Sequence, residues 1–167
     1  MDIQFIFFKD DGLIPNNPFL PAAIYKNVLD PKDMEAVFHR HNWLNSWKNG
    51  VFNYHHYHSN THEVLGVIKG DARLMIGGSS GEVFEVEKGD VIVLPAGTGH
   101  KCLESTNGFS VIGAYPDGMD YNTKYGKSEE RSEALEDIQR VPLPNKDPVF
   151  GSDGPLLKKW NNPGMNM

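Results

Sequence analysis

Three histidines and one glutamate, His56, His58, Glu63 and His100, carry the most pointed chemistry in this sequence. Imidazole is a good ligand for Zn, Cu, Fe and Ni, and a carboxylate adds compensating charge, so the set has the composition of a divalent transition-metal site. Spacing supplies a geometry. Side chains alternate faces along an extended strand, so His56 and His58 are expected to point the same way. Glu63 would arrive from the next strand after the polar turn Ser59, Asn60, Thr61, and His100 would fold back to meet them. His62 is an alternative ligand, giving an all-histidine set. Glu63 is preferred because the apolar run Val64 to Ile68 sets that strand's register and leaves His62 in or beside the turn. Were the cluster metal-free, Glu63 would be an uncompensated buried charge, a cost of several kcal/mol. In an octahedral arrangement, three imidazoles and one carboxylate leave a divalent ion two open positions.

These residues resemble the cupin superfamily. Gly50, His56, His58, Glu63 and Gly70 stand at the intervals of its first motif, and Gly89, Pro95, Gly97 and His100 at those of its second. One position departs: Glu104 stands where the second motif usually carries Asn. The phrases YHHYHSNTHEVLG, LPAGTGHK and GAYPDG are similar to a narrower group of small bacterial single-domain cupins of unassigned function. The resemblance implies an all-β fold, the double-stranded β-helix (jelly-roll) barrel, and supports Glu63 over His62. It spans dioxygenases, oxalate-degrading enzymes and sugar or sugar-phosphate isomerases.

The neighbours of the cluster follow from parity. If residues 52–58 form one strand, Phe52 and Tyr54 face inward with His56 and His58, and the Tyr54 hydroxyl is a candidate to orient substrate or a ligand. On the return strand, Cys102 and Glu104 share the parity of His100 unless a bulge intervenes. Glu104 is then the candidate catalytic base, and Cys102 reads as a small buried hydrophobe. Arg73 is expected to point outward, with Ala72, Leu74 and Ile76 inward. His39 and His41 suit a helix C-terminus, and GGSSG at 77–81 reads as a hairpin turn.

The elements that position these groups are short. The stretch FIFF reads as a strand, and DPKDMEAVFHRHNW as a helix opened by Asp30 and Pro31, with Trp43 and Trp47 extending its apolar side. Strands with Gly-rich turns follow from Val51 to Tyr115, KSEERSEALEDIQR reads as a further helix, and the Pro- and Gly-rich tail is expected to wrap the barrel without regular structure. The organisation expected over 1–167 is one domain: arm and helix at 1–49, core barrel at 50–115, helix and wrapping tail at 116–167.

At 167 residues, 39% hydrophobic and with a formal charge of -6, the chain suits one soluble core, and it lacks the basic runs that nucleic acid or an anionic membrane surface would select. The apolar run near the start has acidic flanks and reads as a strand rather than a signal peptide, and the single cysteine precludes an internal disulfide, so a reducing cytoplasm is expected. The expected cofactor is one divalent ion, Fe, Mn, Zn or Ni, and the expected activity a metal-dependent reaction on a small oxygen-rich molecule in the barrel. A dioxygenase or oxidoreductase is favoured over an isomerase or a non-catalytic ligand-binding module. A homodimer is expected from the resemblance.

Overall fold

The computed structural model describes residues 2–161. Two antiparallel sheets face each other. The larger runs β1-β2-β7-β4-β9-β3, formed by β1 (Ile3–Ile6), β2 (Ala22–Tyr25), β3 (Trp43–Asn49), β4 (Glu63–Lys69), β7 (Val91–Leu94) and β9 (Ser110–Pro116). The smaller runs β6-β5-β8, from β5 (Asp71–Ile76), β6 (Glu82–Glu87) and β8 (His100–Ser105). The all-β expectation therefore holds. Among the described residues no helix is long and apolar enough to cross a membrane.

Strand alternation divides the core. On β4, Leu65 and Val67 join Leu74, Ile76, Ile92, Leu94 and Cys102 between the sheets. Val64 faces the other way, with Ala23, Val93, Ile112 and Ala114, towards Met34 and Phe38 of α1 (Met34–Arg40) and Leu156 and Trp160 of α3 (Pro155–Asn161). Large apolar side chains are buried on both faces of the larger sheet, which is why β2, β4, β7 and β9 read as near-continuous apolar runs.

The first helix is shorter than the sequence suggests. Asp30 caps a 3-10 turn at Pro31–Asp33, accepting from the Lys32 amide, and α1 then runs only to Arg40. Asn42 adopts φ 65, the left-handed conformation that ends helices, so Trp43 and Trp47 lie on β3 instead of continuing the helical stripe. The segment between β3 and β4 also departs from expectation, being irregular apart from isolated bridges at His56 and Tyr57. The helix expected in KSEERSEALEDIQR forms as α2 (Arg131–Arg140).

The tail wraps the larger sheet but is not wholly irregular. Pro155 at the first helical turn, together with Leu156 and Trp160 on one buried face, makes α3. Positions 162–167 of that expected tail lie outside the described residues. Asp147 pins the tail: its buried carboxylate accepts from the Tyr25 hydroxyl (2.6 Å) and from the amides of Val149, Phe150 and Leu156. Truncating it would leave those donors buried without partners, at about 1–3 kcal/mol each before relaxation. Asp147→Ala is accordingly expected to lower unfolding stability by about 4 kcal/mol in urea denaturation. A loss below about 1 kcal/mol would show that the tail does not depend on this anchor.

Candidate metal centre

Two registers bring the acidic and basic ligands to one end of the barrel. Glu63 opens β4 opposite Leu94 at the end of β7, and His100 opens β8 opposite Ile76 at the end of β5. The side chains of Glu63 and His100 therefore both enter the space between the sheets above the apolar interior. His56 reaches them through an antiparallel bridge to His100, with backbone bonds of 3.2 and 3.0 Å, and Gly97 ties the following turn to the His58 carbonyl. His58, Glu63 and His100 present ligand atoms that all lie within 4.8 Å of one another, and the three residues are buried. The His56 ring lies beside them, its centroid 4.1 Å from that of His100.

The histidines are oriented alike. His56 Nδ1 meets the Tyr54 carbonyl at 3.0 Å, His100 Nδ1 meets the Thr98 carbonyl at 3.1 Å, and His58 Nδ1 meets the Asn122 carbonyl. A carbonyl oxygen only accepts, so each Nδ1 carries a proton and donates. In the neutral ring Nε2 is then a lone pair. Yet Nε2 of His58 lies 3.3 Å from Glu63 Oε2, and Nε2 of His100 lies 3.4 Å from Glu63 Oε1, an oxygen that is buried and has no hydrogen-bond partner among the described residues. Lone pairs facing a carboxylate at these separations need a cation between them, either a ring proton or a metal ion. The donor set fits a divalent transition metal, with ring tautomers fixed as they are in metal sites by an outer hydrogen bond.

Electrostatics follows the same arrangement. Burial presses the His56 imidazole down to about 3, and the neighbouring His100 adds to that shift, so His56 is held neutral. Burial also presses on His58, but the Glu63 carboxylate more than reverses it and the net shift is upward. Burial would raise Glu63, whereas His58 and His100 pull it well below the usual carboxylate range, so it stays ionised.

An outer relay holds the carboxylate. The Tyr115 hydroxyl donates to Glu63 Oε2 at 2.6 Å and accepts from Trp47 Nε1 at 2.8 Å. Burial, then the adjacent carboxylate, push the Tyr115 phenol far above its ordinary range, which keeps it a donor. Trp47 reaches this place because β3 shifts register between Leu44 and Trp47, where Asn45 takes φ 58. Gly113 makes room, since a Cβ there would lie 2.3 Å from the indole.

Other expected site residues fall elsewhere. Glu104 does not enter the barrel: β8 shifts register between the Arg73↔Glu104 and Leu74↔Cys102 pairs, and the extra residue turns Glu104 outward to meet Arg73 at 3.0 Å in an exposed ion pair. This corrects its reading as an inward base. Cys102, on the near side of that bulge, is buried in the apolar interior, and burial raises its thiol. Tyr54 is 43% exposed because residues 51–55 are not a strand, and its carbonyl, rather than its hydroxyl, serves the histidine cluster. His62 is remote from the cluster's chemistry: its Nδ1 accepts from the Ala96 amide and its ring packs on Trp160. Burial holds the imidazole neutral, lowered to about 4, and the Ala96 amide donating to Nδ1 suits that state. Tyr115, Trp47 and Asn122 were not found from sequence. Alternation along Val111, Gly113 and Tyr115 could have placed Tyr115 inward, whereas the Asn122 carbonyl leaves no side-chain signature.

Comparison with known proteins places the chain further. The cupin family model matches residues 17–122. YjlB of Bacillus subtilis (strain 168), an uncharacterized protein, is 47% identical over 160 residues, which are 95% of this chain and 97% of that one. Solved structures with similarity include an uncharacterized conserved protein with a double-stranded β-helix domain from Klebsiella pneumoniae, at 20% identity and a TM-score of 0.40, covering 49% of this chain and 68% of that one. Acireductone dioxygenase from Bacillus anthracis, with a cadmium ion in its active centre, is 16% identical with a TM-score of 0.41, covering 74% of this chain and 83% of the other.

Proposed function

Because the chain belongs to the cupin family, we propose that it is a divalent-metal-dependent enzyme of the dioxygenase or oxidoreductase type, with the ion held by His56, His58, Glu63 and His100 and a small oxygen-rich molecule as its substrate. One observation carries this reading: the histidines donate through Nδ1 to backbone carbonyls, while the buried Glu63 carboxylate turns one oxygen to each of two Nε2 atoms, Oε2 to His58 and Oε1, without a hydrogen-bond partner among the described residues, to His100. When bound, a divalent ion supplies Lewis acidity and, for Fe or Mn, electron transfer with O2.

The chain's own groups would do the rest. Tyr115 holds Oε2 of Glu63 and leaves Oε1 free to bind. The apolar floor of Leu65, Leu74, Ile76 and Leu94 excludes water beneath the cluster. A dioxygenase reaction needs no further reductant, since the organic molecule gives up the electrons and both oxygen atoms enter it. Isomerisation would instead need a proton carrier beside the metal, and Glu104, the carboxylate expected there, faces solvent.

The test is O2 uptake by Fe(II)- or Mn(II)-loaded protein offered small diketones, catechols, flavonoids and hydroxy acids. Uptake that requires both metal and one of these classes is expected, with Glu63→Gln inactive. Loaded protein that binds such a molecule but consumes no O2 and releases no product would replace the enzyme with a ligand-binding module.

A further inference from the structure

The exposed side of the histidine cluster is framed by aromatic rings. Phe52 and Tyr54 stack on each other, with centroids 4.9 Å apart and planes 12° apart, and both meet His56 edge-on at 5.1 and 5.8 Å. Tyr125 tilts against Tyr54 at 5.8 Å. On the His58 side, Tyr121 stacks on Tyr115 at 4.5 Å and 20° and meets the His58 ring at 5.1 Å. These rings do not complete the core: Phe52 is 52% exposed, Tyr54 43%, Tyr121 42% and Tyr125 46%.

Single exposed aromatics are ordinary, but a contiguous set continuous with a buried polar cluster marks a ligand groove. The backbone holds the rings where they are. Asn122, next to Tyr121, gives its carbonyl to His58 and its side chain to the Ser59 amide, and Lys124, next to Tyr125, pairs with Tyr57. A molecule whose oxygens reach the cluster between His56 and His58 would have its remaining body bounded by Phe52 and Tyr54 on one side and by Tyr121 on the other. Flat apolar bodies gain most there, by offset or edge-on ring contact.

Resting on the metal-centre reading above, we propose that the site selects an aromatic ligand with two adjacent oxygen donors, of the catechol class, and that Phe52, Tyr54 and Tyr121 determine this specificity. The oxygens meet the metal and the ring lies against the aromatic frame, so compact chelators with the same donors but no ring fill only the inner half of the site.

The test titrates metal-loaded full-length protein with 4-nitrocatechol, followed by the change in its visible band on coordination, and with oxalate, a two-oxygen chelator without a ring. The double variant Phe52→Ala/Tyr54→Ala and the single variant Tyr121→Ala are each expected to weaken 4-nitrocatechol binding about tenfold, the size of one or two ring contacts. Their metal content and oxalate affinity should stay at wild-type values. Unchanged 4-nitrocatechol affinity in both variants would overturn the inference, and so would equal losses for the two chelators. A dimer that dissociates in the variants while 4-nitrocatechol affinity holds would also overturn it, assigning the rings to a second copy. Wild-type protein that takes up no metal defeats the metal-centre reading itself, an outcome separate from these because metal content is measured independently.

Discussion

Replacing Glu63 with Gln is expected to strip the protein of its metal while leaving it folded. The substitution preserves shape and an oxygen able to accept from Tyr115, so the relay from Trp47 survives. It removes the one negative charge of the cluster and, with the amide oxygen kept on Tyr115, places an amide N–H beside the Nε2 lone pair of His100, which it can satisfy without any cation. Metal affinity should fall by more than about 100-fold, beyond the range typical of an outer-shell loss. Stability should move the other way. The metal-free variant should melt at or above metal-free wild type, because a buried carboxylate relying on a ring proton is replaced by a neutral hydrogen-bonded group. Elemental analysis and thermal melts of both metal-free and loaded proteins check the pair of effects. A variant that still holds one ion per chain would remove Glu63 from the ligand set.

Tyr115→Phe is the second large effect, and it acts at one remove. The ring and its stacking with Tyr121 remain, but Glu63 Oε2 loses its 2.6 Å donor and Trp47 Nε1 loses its acceptor. Outer-shell partners of this kind typically contribute 10–100-fold to metal affinity, by fixing the ligand's orientation. A loss in that range is expected by competition with a calibrated chelator, together with a stability cost of about 1–3 kcal/mol for the stranded indole N–H. Trp47→Phe provides the contrast: Tyr115 can still donate to Glu63, so metal affinity should fall by less than in Tyr115→Phe. Equal affinity in wild type and Tyr115→Phe would mean that the carboxylate is positioned by its backbone alone.

Much of the centre was readable because its signals are local. The types and spacing of His56, His58, Glu63 and His100 state a donor set, and the apolar run after Glu63 fixes which face that strand turns inward. The wider arrangement was hidden by single-residue irregularities. Alternation puts Glu104 on the His100 face, yet one extra residue in β8 reverses it towards Arg73. Another register shift, in β3, turns Trp47 onto the inner face over Gly113, whereas Trp43 stays on the outer one. A period-two pattern cannot announce a bulge that both inserts a residue and exchanges the faces. The stretch through Phe52 and Tyr54 failed for a related reason: its histidines alternate across one short bridge, and the alternation does not extend back to the aromatics. Backbone carbonyls at Tyr54, Thr98 and Asn122 orient the rings, and such groups are common to every residue.

The central claim, a divalent ion bound by imidazoles and a carboxylate at one end of the barrel, is tested most directly by X-ray absorption spectroscopy at the metal edge. The sample is protein purified without a metal-affinity tag. The account predicts one first-row ion per chain, with nitrogen and oxygen scatterers at about 2.0–2.2 Å and the outer scattering of three imidazoles. A first shell containing sulfur, an imidazole count of one or none, or protein that carries no stoichiometric metal would contradict it.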